Sequence, residues 1–142
     1  ALSSAERHGE LVGVLYVDLD DFKPINDTYG HDVGDELLIE LAHRMEAVTR
    51  DEDTVSRQGG DEFAVLVARP GSLEAVERVA EKVQAAIETP VRIGELTLEP
   101  RASIGWAVYP DAGSRVEELV AAADESMYRQ KQARKPEPGD PA

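Results

Sequence analysis

Two acids following two glycines, Gly59-Gly60-Asp61-Glu62-Phe63, and an acidic run further upstream, Asp18-Leu19-Asp20-Asp21, are the residues best equipped for chemistry. Carboxylate oxygens are hard donors that suit Mg²⁺ or Mn²⁺, and a pair of them can hold a divalent cation against phosphate oxygens. Taken singly, each run has an ordinary reading. The first could be the entry to a solvated loop, the second a plain hairpin turn. What decides between the readings is whether the chain brings the two runs together.

The elements that would do so are legible in outline. Val12 to Val17 is a nearly continuous apolar run, short enough for a strand buried on both faces. Asp18 to Asp35, rich in Asp, Asn, Gly and Pro, reads as a loop. Leu37, Leu38, Leu41, Met45 and Val48 then recur at helical spacing. Thr54–Gln58 and Glu62–Ala68 read as strands around a tight Gly59-Gly60 turn, and the second is apolar on both faces, as a central strand should be. Asp18 would end the first buried strand and Asp61 would begin the central one. If those strands are neighbours, both carboxylates lie at one edge of the sheet.

Beyond Pro70-Gly71, Ser72 can cap a helix striped by Leu73, Val76, Val79, Val83 and Ile87. Val91 to Tyr109 reads as extended, with a turn near Gly94 and a buried strand over Ser103–Val108. A last helix carries Val116, Leu119, Val120, Ala123 and Met127 on one stripe. Lys135 to Ala142, with three prolines, is expected to be a disordered tail or linker. The order strand, helix, hairpin, helix, strands, helix predicts an α+β domain: a mostly antiparallel central sheet flanked by helices.

Composition narrows the function. The formal net charge of -14 argues against nucleic-acid binding, which needs a basic surface. No apolar run is long enough to span a membrane, so no membrane contact is expected of this domain, and a cytoplasmic location is. There is no cysteine, which leaves carboxylates as the metal donors. A chain opening on Ala1 rather than Met is expected to be a fragment. The Asp18-x-Asp20 spacing also occurs in phosphatases with an aspartyl nucleophile, but those require a small hydroxyl residue soon afterwards, and Phe22 stands here.

Together the motifs are far more specific. Asp18-Leu-Asp-Asp-Phe22-Lys23-Pro-Ile-Asn26-Asp27-Thr-Tyr-Gly30-His31-Asp-Val-Gly34-Asp35, followed one helix later by Arg57-Gln-Gly-Gly-Asp-Glu-Phe63, resembles the GGDEF family of diguanylate cyclases. The resemblance spans residues 11 to 135 and implies the ferredoxin-like palm of nucleotidyl cyclases, with residues 1 to 10 as the tail of a shortened N-terminal helix. The family's Leu-Thr-Gly-Leu-x-Asn-Arg stretch is missing from that end.

The resemblance implies roles residue by residue. Asp18, Asp61 and the Leu19 carbonyl would bind Mg²⁺ or Mn²⁺, with Glu62 in the shell of a second ion. Asp61 would also be the base for the attacking ribose hydroxyl, a role a metal-bound carboxylate fills poorly. Phe22, Asn26, His31 and Asp35 lie on the segment expected to bind the nucleotide, where Asn26 and Asp35 read the guanine edge. Lys23 and Lys131 would stabilise phosphate charge, and Lys135 could replace the arginine the family places after Lys131. Gly59 and Gly60 would let the backbone pass close to the triphosphate, whereas Gly30 and Gly34 are read as turn residues before a helix. Arg50 and Asp53, at a helix end with five residues before Gly59, match the family's inhibitory product site, although a salt link closing that helix is the simpler alternative.

The implied reaction condenses two molecules of GTP into cyclic di-GMP, with loss of two pyrophosphates, across a two-fold homodimer. Cyclic di-GMP would be both product and inhibitor. The alternatives are a non-catalytic GTP-sensing module, controlling an attached phosphodiesterase, or a receptor for cyclic di-GMP.

Overall fold

The computed structural model describes residues 11–109 and 115–134. The expectations for residues 1 to 10, for Lys135 and for the C-terminal tail lie outside the described residues, as does the side chain of Val116. The elements run β1 (Val12–Asp20), α1 (Phe22–Tyr29), α2 (His31–Ala47), β2 (Thr54–Arg57), β3 (Glu62–Ala68), α3 (Leu73–Glu88), β4 (Val91–Ile93), β5 (Leu96–Leu98), β6 (Arg101–Tyr109) and α4 (Val116–Arg134).

Four strands form one sheet in the order β2-β3-β1-β6, and every pairing in it is antiparallel. β1 and β3 are its inner strands, which explains why both carry apolar residues on both faces. Leu15, Val17 and Leu19 of β1, with Phe63, Val65 and Val67 of β3, face the larger core, closed by Leu37, Leu41 and Met45 of α2 and Val76, Val83 and Ile87 of α3. The opposite face is covered by α4, whose Leu119 and Ala123 are fully buried beside Val14 and Ala107. This is the expected α+β sandwich of sheet and helices.

α4 lies close on the sheet because Gly105 has no side chain. A β-carbon there would come within 2.0 Å of the Met127 backbone nitrogen and 2.3 Å of the Ala123 carbonyl oxygen. Among the described residues β6 ends the sheet, and side chains take up its outward backbone groups. The Ala102 N–H donates to Glu88, the Ala102 carbonyl accepts from Gln84, and the Ile104 N–H donates to Gln130.

Arg44 ties the two helices of the larger face together. Its guanidinium donates to the carbonyls of Ala86 (3.0 Å), Thr89 (2.6 Å) and Pro90 (3.0 Å), which the end of α3 leaves without helical partners. At the other end of α3, Ser72 Oγ accepts from the Ala75 N–H at 3.1 Å, the cap expected from its position.

Two expectations need correction. Asp18 to Asp35 is not a loop: β1 continues to Asp20, and α1 and α2 fill nearly all the rest. Asp21 makes the corner with φ 57°, a left-handed conformation that Asp tolerates better than most residues. Pro24 fits inside α1 because the N–H groups of a helix's first turn have no helical partner to lose. Gly30, with φ 94°, is the hinge between the two helices, as a turn residue should be. Gly34 is not a turn residue. It lies buried within α2, against Asn26. The region from Val91 also resolves further, into a small β4–β5 hairpin and a β6 longer at both ends than Ser103–Val108.

Candidate active site

Register brings the acids together. Asp18 lies opposite Glu62 on β3 and opposite Ser103 on β6, so the acidic end of β1 is flanked on both sides. Alternation along the strands then puts Tyr16, Asp18, Asp20, Glu62 and Ser103 on the α4 face of the sheet. One step beyond the ladder, the Leu19 N–H donates to the Asp61 carbonyl at 3.0 Å, fixing the backbone of Asp61 against the end of β1. In a pleated strand the N–H and C=O of one residue face the same neighbour, so the Leu19 carbonyl also faces the Asp61 end.

The turn carrying the glycines is held by Arg57. Its Nε donates to the Gly59 carbonyl and its Nη2 to the Gly60 carbonyl, each at 2.9 Å, while the N–H of Gln58 donates to the Glu62 carbonyl at 2.8 Å. A β-carbon on Gly60 would meet nothing within 4 Å. The fold itself leaves room for a side chain at Gly60.

α4 contributes a cation. Lys131 Nζ donates to Asp18 Oδ2 at 2.7 Å and lies 3.8 Å from Asp20 Oδ1, which accepts from Ser103 Oγ at 3.0 Å. Burial pushes the Asp18 carboxyl above the usual carboxylate range. Lys131 pulls it back, while the negative charges of Asp61 and Asp20 push it up again. Burial pulls the Lys131 ammonium down, but the hydrogen bond and charge of Asp18, with Asp20 and Asp61, outweigh it and leave it raised. Beside this group, Tyr16 donates its hydroxyl to Glu62 Oε1 at 3.2 Å. Burial first, and then the Glu62 charge, push that phenol up to about 12.

The segment expected to bind a nucleotide is built from the α1–α2 corner. Phe22 is buried and its ring packs close to Gly34, where Asn26 also turns its side chain inward. Asn26 Oδ1 is buried and finds no hydrogen-bond partner among the described residues. Asp35 is the next residue along α2 and is exposed; Lys23 and His31 are exposed near the starts of α1 and α2. Among the described residues, neither Lys23 nor His31 is tied to the carboxylates by a hydrogen bond or ion pair.

Arg50 and Asp53 form a closed motif at the far end of the β2–β3 hairpin. The Arg50 N–H donates to Asp53 Oδ2 at 3.0 Å and its Nη2 to Oδ1 at 3.2 Å. The guanidinium also pairs with Glu52 at 2.9 Å and reaches the carbonyl of Ala68. The Asp53 side chain is only 1% exposed and accepts from the Ala68 N–H, whereas that of Arg50 is 47% exposed.

A family model described as "Diguanylate cyclase, GGDEF domain" matches residues 1–137. The chain belongs to the GGDEF family. It is 43% identical over 131 residues to a bifunctional diguanylate cyclase/cyclic di-GMP phosphodiesterase, MucR of Pseudomonas aeruginosa, covering 92% of this chain and 19% of MucR. It is 40% identical over 129 residues to the diguanylate cyclase TpbB of the same species, covering 90% of this chain and 30% of TpbB. This GGDEF domain thus spans under a third of the length of either relative. Its fold is similar to the crystal structure of the TpbB GGDEF domain, with a TM-score of 0.88, 38% identity, and coverage of 92% of this chain and 83% of that one.

Among the described residues of this GGDEF domain, no three acidic or histidine side chains converge as a ready-made metal cage. The oxygens that the end of β1 and the start of β3 offer, from Asp18, Asp61 and the Leu19 carbonyl, are all hard, and the Lys131 ammonium already lies against Asp18. Oxygen donors of this kind suit Mg²⁺ or Mn²⁺, which keep several waters and need only one or two carboxylates from a protein. Sequence reasoning assigned nothing to Tyr16, Asp20 or Ser103 and gave Arg57 no role. Tyr16 was detectable as a polar interruption in an apolar strand. Ser103 needed the β1–β6 register.

Proposed function

We propose that this domain is a diguanylate cyclase module, condensing two GTP molecules into cyclic di-GMP with release of two pyrophosphates. The observation that carries this reading is the convergence of Asp18, Asp61, Glu62 and Lys131 at one end of β1 and β3, beside an intact Gly59–Phe63 signature. A bound Mg²⁺ or Mn²⁺ would neutralise phosphate charge and orient the displacement at the α-phosphorus. Asp18, Asp61 and the Leu19 carbonyl would hold it, with Glu62 near a second ion. Lys131 and Lys23 would bind phosphate oxygens. Asn26 and Asp35 would read guanine: a carboxylate accepts from the N1–H and exocyclic amine, a donor pair adenine does not present. One domain binds one GTP, so each 3′-hydroxyl would meet the other's α-phosphate across a homodimer.

The test is incubation with GTP and Mg²⁺ followed by chromatography of the products. Cyclic di-GMP should appear, and Asp61→Ala should abolish it while leaving the protein folded. Product from the variant would remove Asp61 from the mechanism.

A second reading has its own observation. The Arg50–Asp53 motif is intact, and the MucR relative joins cyclase and phosphodiesterase activities in its name, so the domain could act as a GTP- or cyclic di-GMP-binding regulator of a larger protein. GTP binding without turnover would support a sensor. Cyclic di-GMP binding that Arg50→Ala removes, again without turnover, would support a receptor.

A further inference from the structure

We propose that Lys131 is a resident counter-ion of the carboxylate site, which a divalent metal must displace and which then transfers to the phosphates the metal brings. This rests on the cyclase reading of the site and adds an order to its assembly: metal and nucleotide enter together, because the metal alone competes with a cation already in place.

The geometry gives Lys131 this position. Its Nζ is 2.7 Å from Asp18 Oδ2, and the Asp18 side chain is 12% exposed, so the ammonium is the compensating charge of a largely buried carboxylate. Asp20 Oδ1, oriented by the Ser103 hydroxyl, lies 3.8 Å from the same ammonium and offers it a second acceptor when Asp18 is taken. The backbone of α4 at Ala123 to Met127 packs closely on Gly105, one turn before Lys131, which seats this part of the helix on the sheet. Exchange then needs only the flexible four-carbon side chain of Lys131 to move. A dication on Asp18 and a nearby ammonium repel each other, and this repulsion is relieved once a polyanionic triphosphate lies between them.

The two halves of the proposal predict opposite signs for one substitution. In Lys131→Met, Mn²⁺ without nucleotide should bind tighter, on the order of tenfold, because a positive charge has left the site. A non-hydrolysable GTP analogue with Mn²⁺ should bind more weakly to the same variant. Lys131→Arg, which keeps the charge, should leave Mn²⁺ binding close to the wild-type value. Free Mn²⁺ is read directly by electron paramagnetic resonance in titrations of the folded proteins, with folding checked by circular dichroism; Lys131→Gln serves if the methionine variant is unfolded.

Unchanged or weaker Mn²⁺ binding in the neutral variant overturns the proposal. Asp18→Asn separates that failure from failure of the site itself. If Asp18→Asn abolishes Mn²⁺ binding but Lys131→Met does not tighten it, the site stands and the counter-ion role falls. If Asp18→Asn leaves Mn²⁺ binding intact, the metal lies elsewhere and both fall.

Discussion

The Oδ1 of Asn26 lies 1.8 Å from where a β-carbon on Gly34 would sit, so the Asn26 side chain occupies volume that any other residue at position 34 would claim. Glycine in a helix interior is unfavourable by roughly 1 kcal/mol against alanine, so its presence in α2 needs a reason. The reason is clearance for Asn26, on the segment proposed to read guanine.

Gly34→Ala should therefore displace Asn26. The helix gains from alanine, the packing loses about 1–3 kcal/mol from the overlap, and the net change in stability should be small. Affinity for a GTP analogue should fall by about tenfold or more, as expected when a buried hydrogen-bonding group is withdrawn. Calorimetric titration checks this, and unchanged affinity would take Asn26 out of the nucleotide site.

Tyr16→Phe removes the hydroxyl that donates to Glu62 Oε1 and nothing else. Stability should fall by about 1–2 kcal/mol, the net worth of a hydrogen bond to a carboxylate. Glu62 would lose the contact that orients it, so half-maximal activity should require several-fold more Mg²⁺. A Mg²⁺ titration of the cyclase rate reads this; a purely structural role for Tyr16 would lower the melting temperature and leave the Mg²⁺ requirement alone.

How much of this could be read from the chain alone varied with the physical signal. The inner strands and the helices α2, α3 and α4 were legible because burial imposes a period on their apolar residues. α1 was not, since its eight residues include Lys23, Pro24, Asn26, Asp27 and Thr28 and expose most of one turn after another. The union of Asp18 with Asp61 followed from placing each at the end of a neighbouring strand. The pairing of Lys131 with Asp18 did not, because they lie 113 positions apart and meet only through the tertiary packing of α4 on the sheet. Arg50 and Asp53 were legible as a motif, but their mutual closure was only one of two readings.

That closure yields a prediction about the two residues separately. Arg50 is half exposed, but its partner Asp53 is buried and keeps its backbone donors, so Arg50→Ala should cost about 1–2 kcal/mol. Asp53 accepts from the backbone of both Arg50 and Ala68, and Asp53→Ala should cost more, about 1–3 kcal/mol, because two N–H groups lose their acceptor. If the motif is an inhibitory site, Arg50→Ala should also weaken inhibition by cyclic di-GMP by tenfold or more, the scale of a lost charged contact. Denaturant unfolding and inhibition curves measure the two effects independently.

Arg44→Ala should be among the more damaging surface changes. Three carbonyls at the end of α3 would lose one shared donor, for an expected loss of about 2–3 kcal/mol. Arg44→Lys should recover only part of it, since an ammonium cannot match the spread of a guanidinium. Thermal unfolding of the three proteins gives the comparison.

Gln84, Glu88 and Gln130 close the outward backbone of β6 at Ala102 and Ile104. An open sheet margin is a template on which identical chains can stack without limit. A domain proposed to work by meeting its own copy must be attracted to that copy and still stop at two. Side chains from two helices guard the β6 margin at Ala102 and Ile104, which makes strand-to-strand addition of a copy unfavourable at that point.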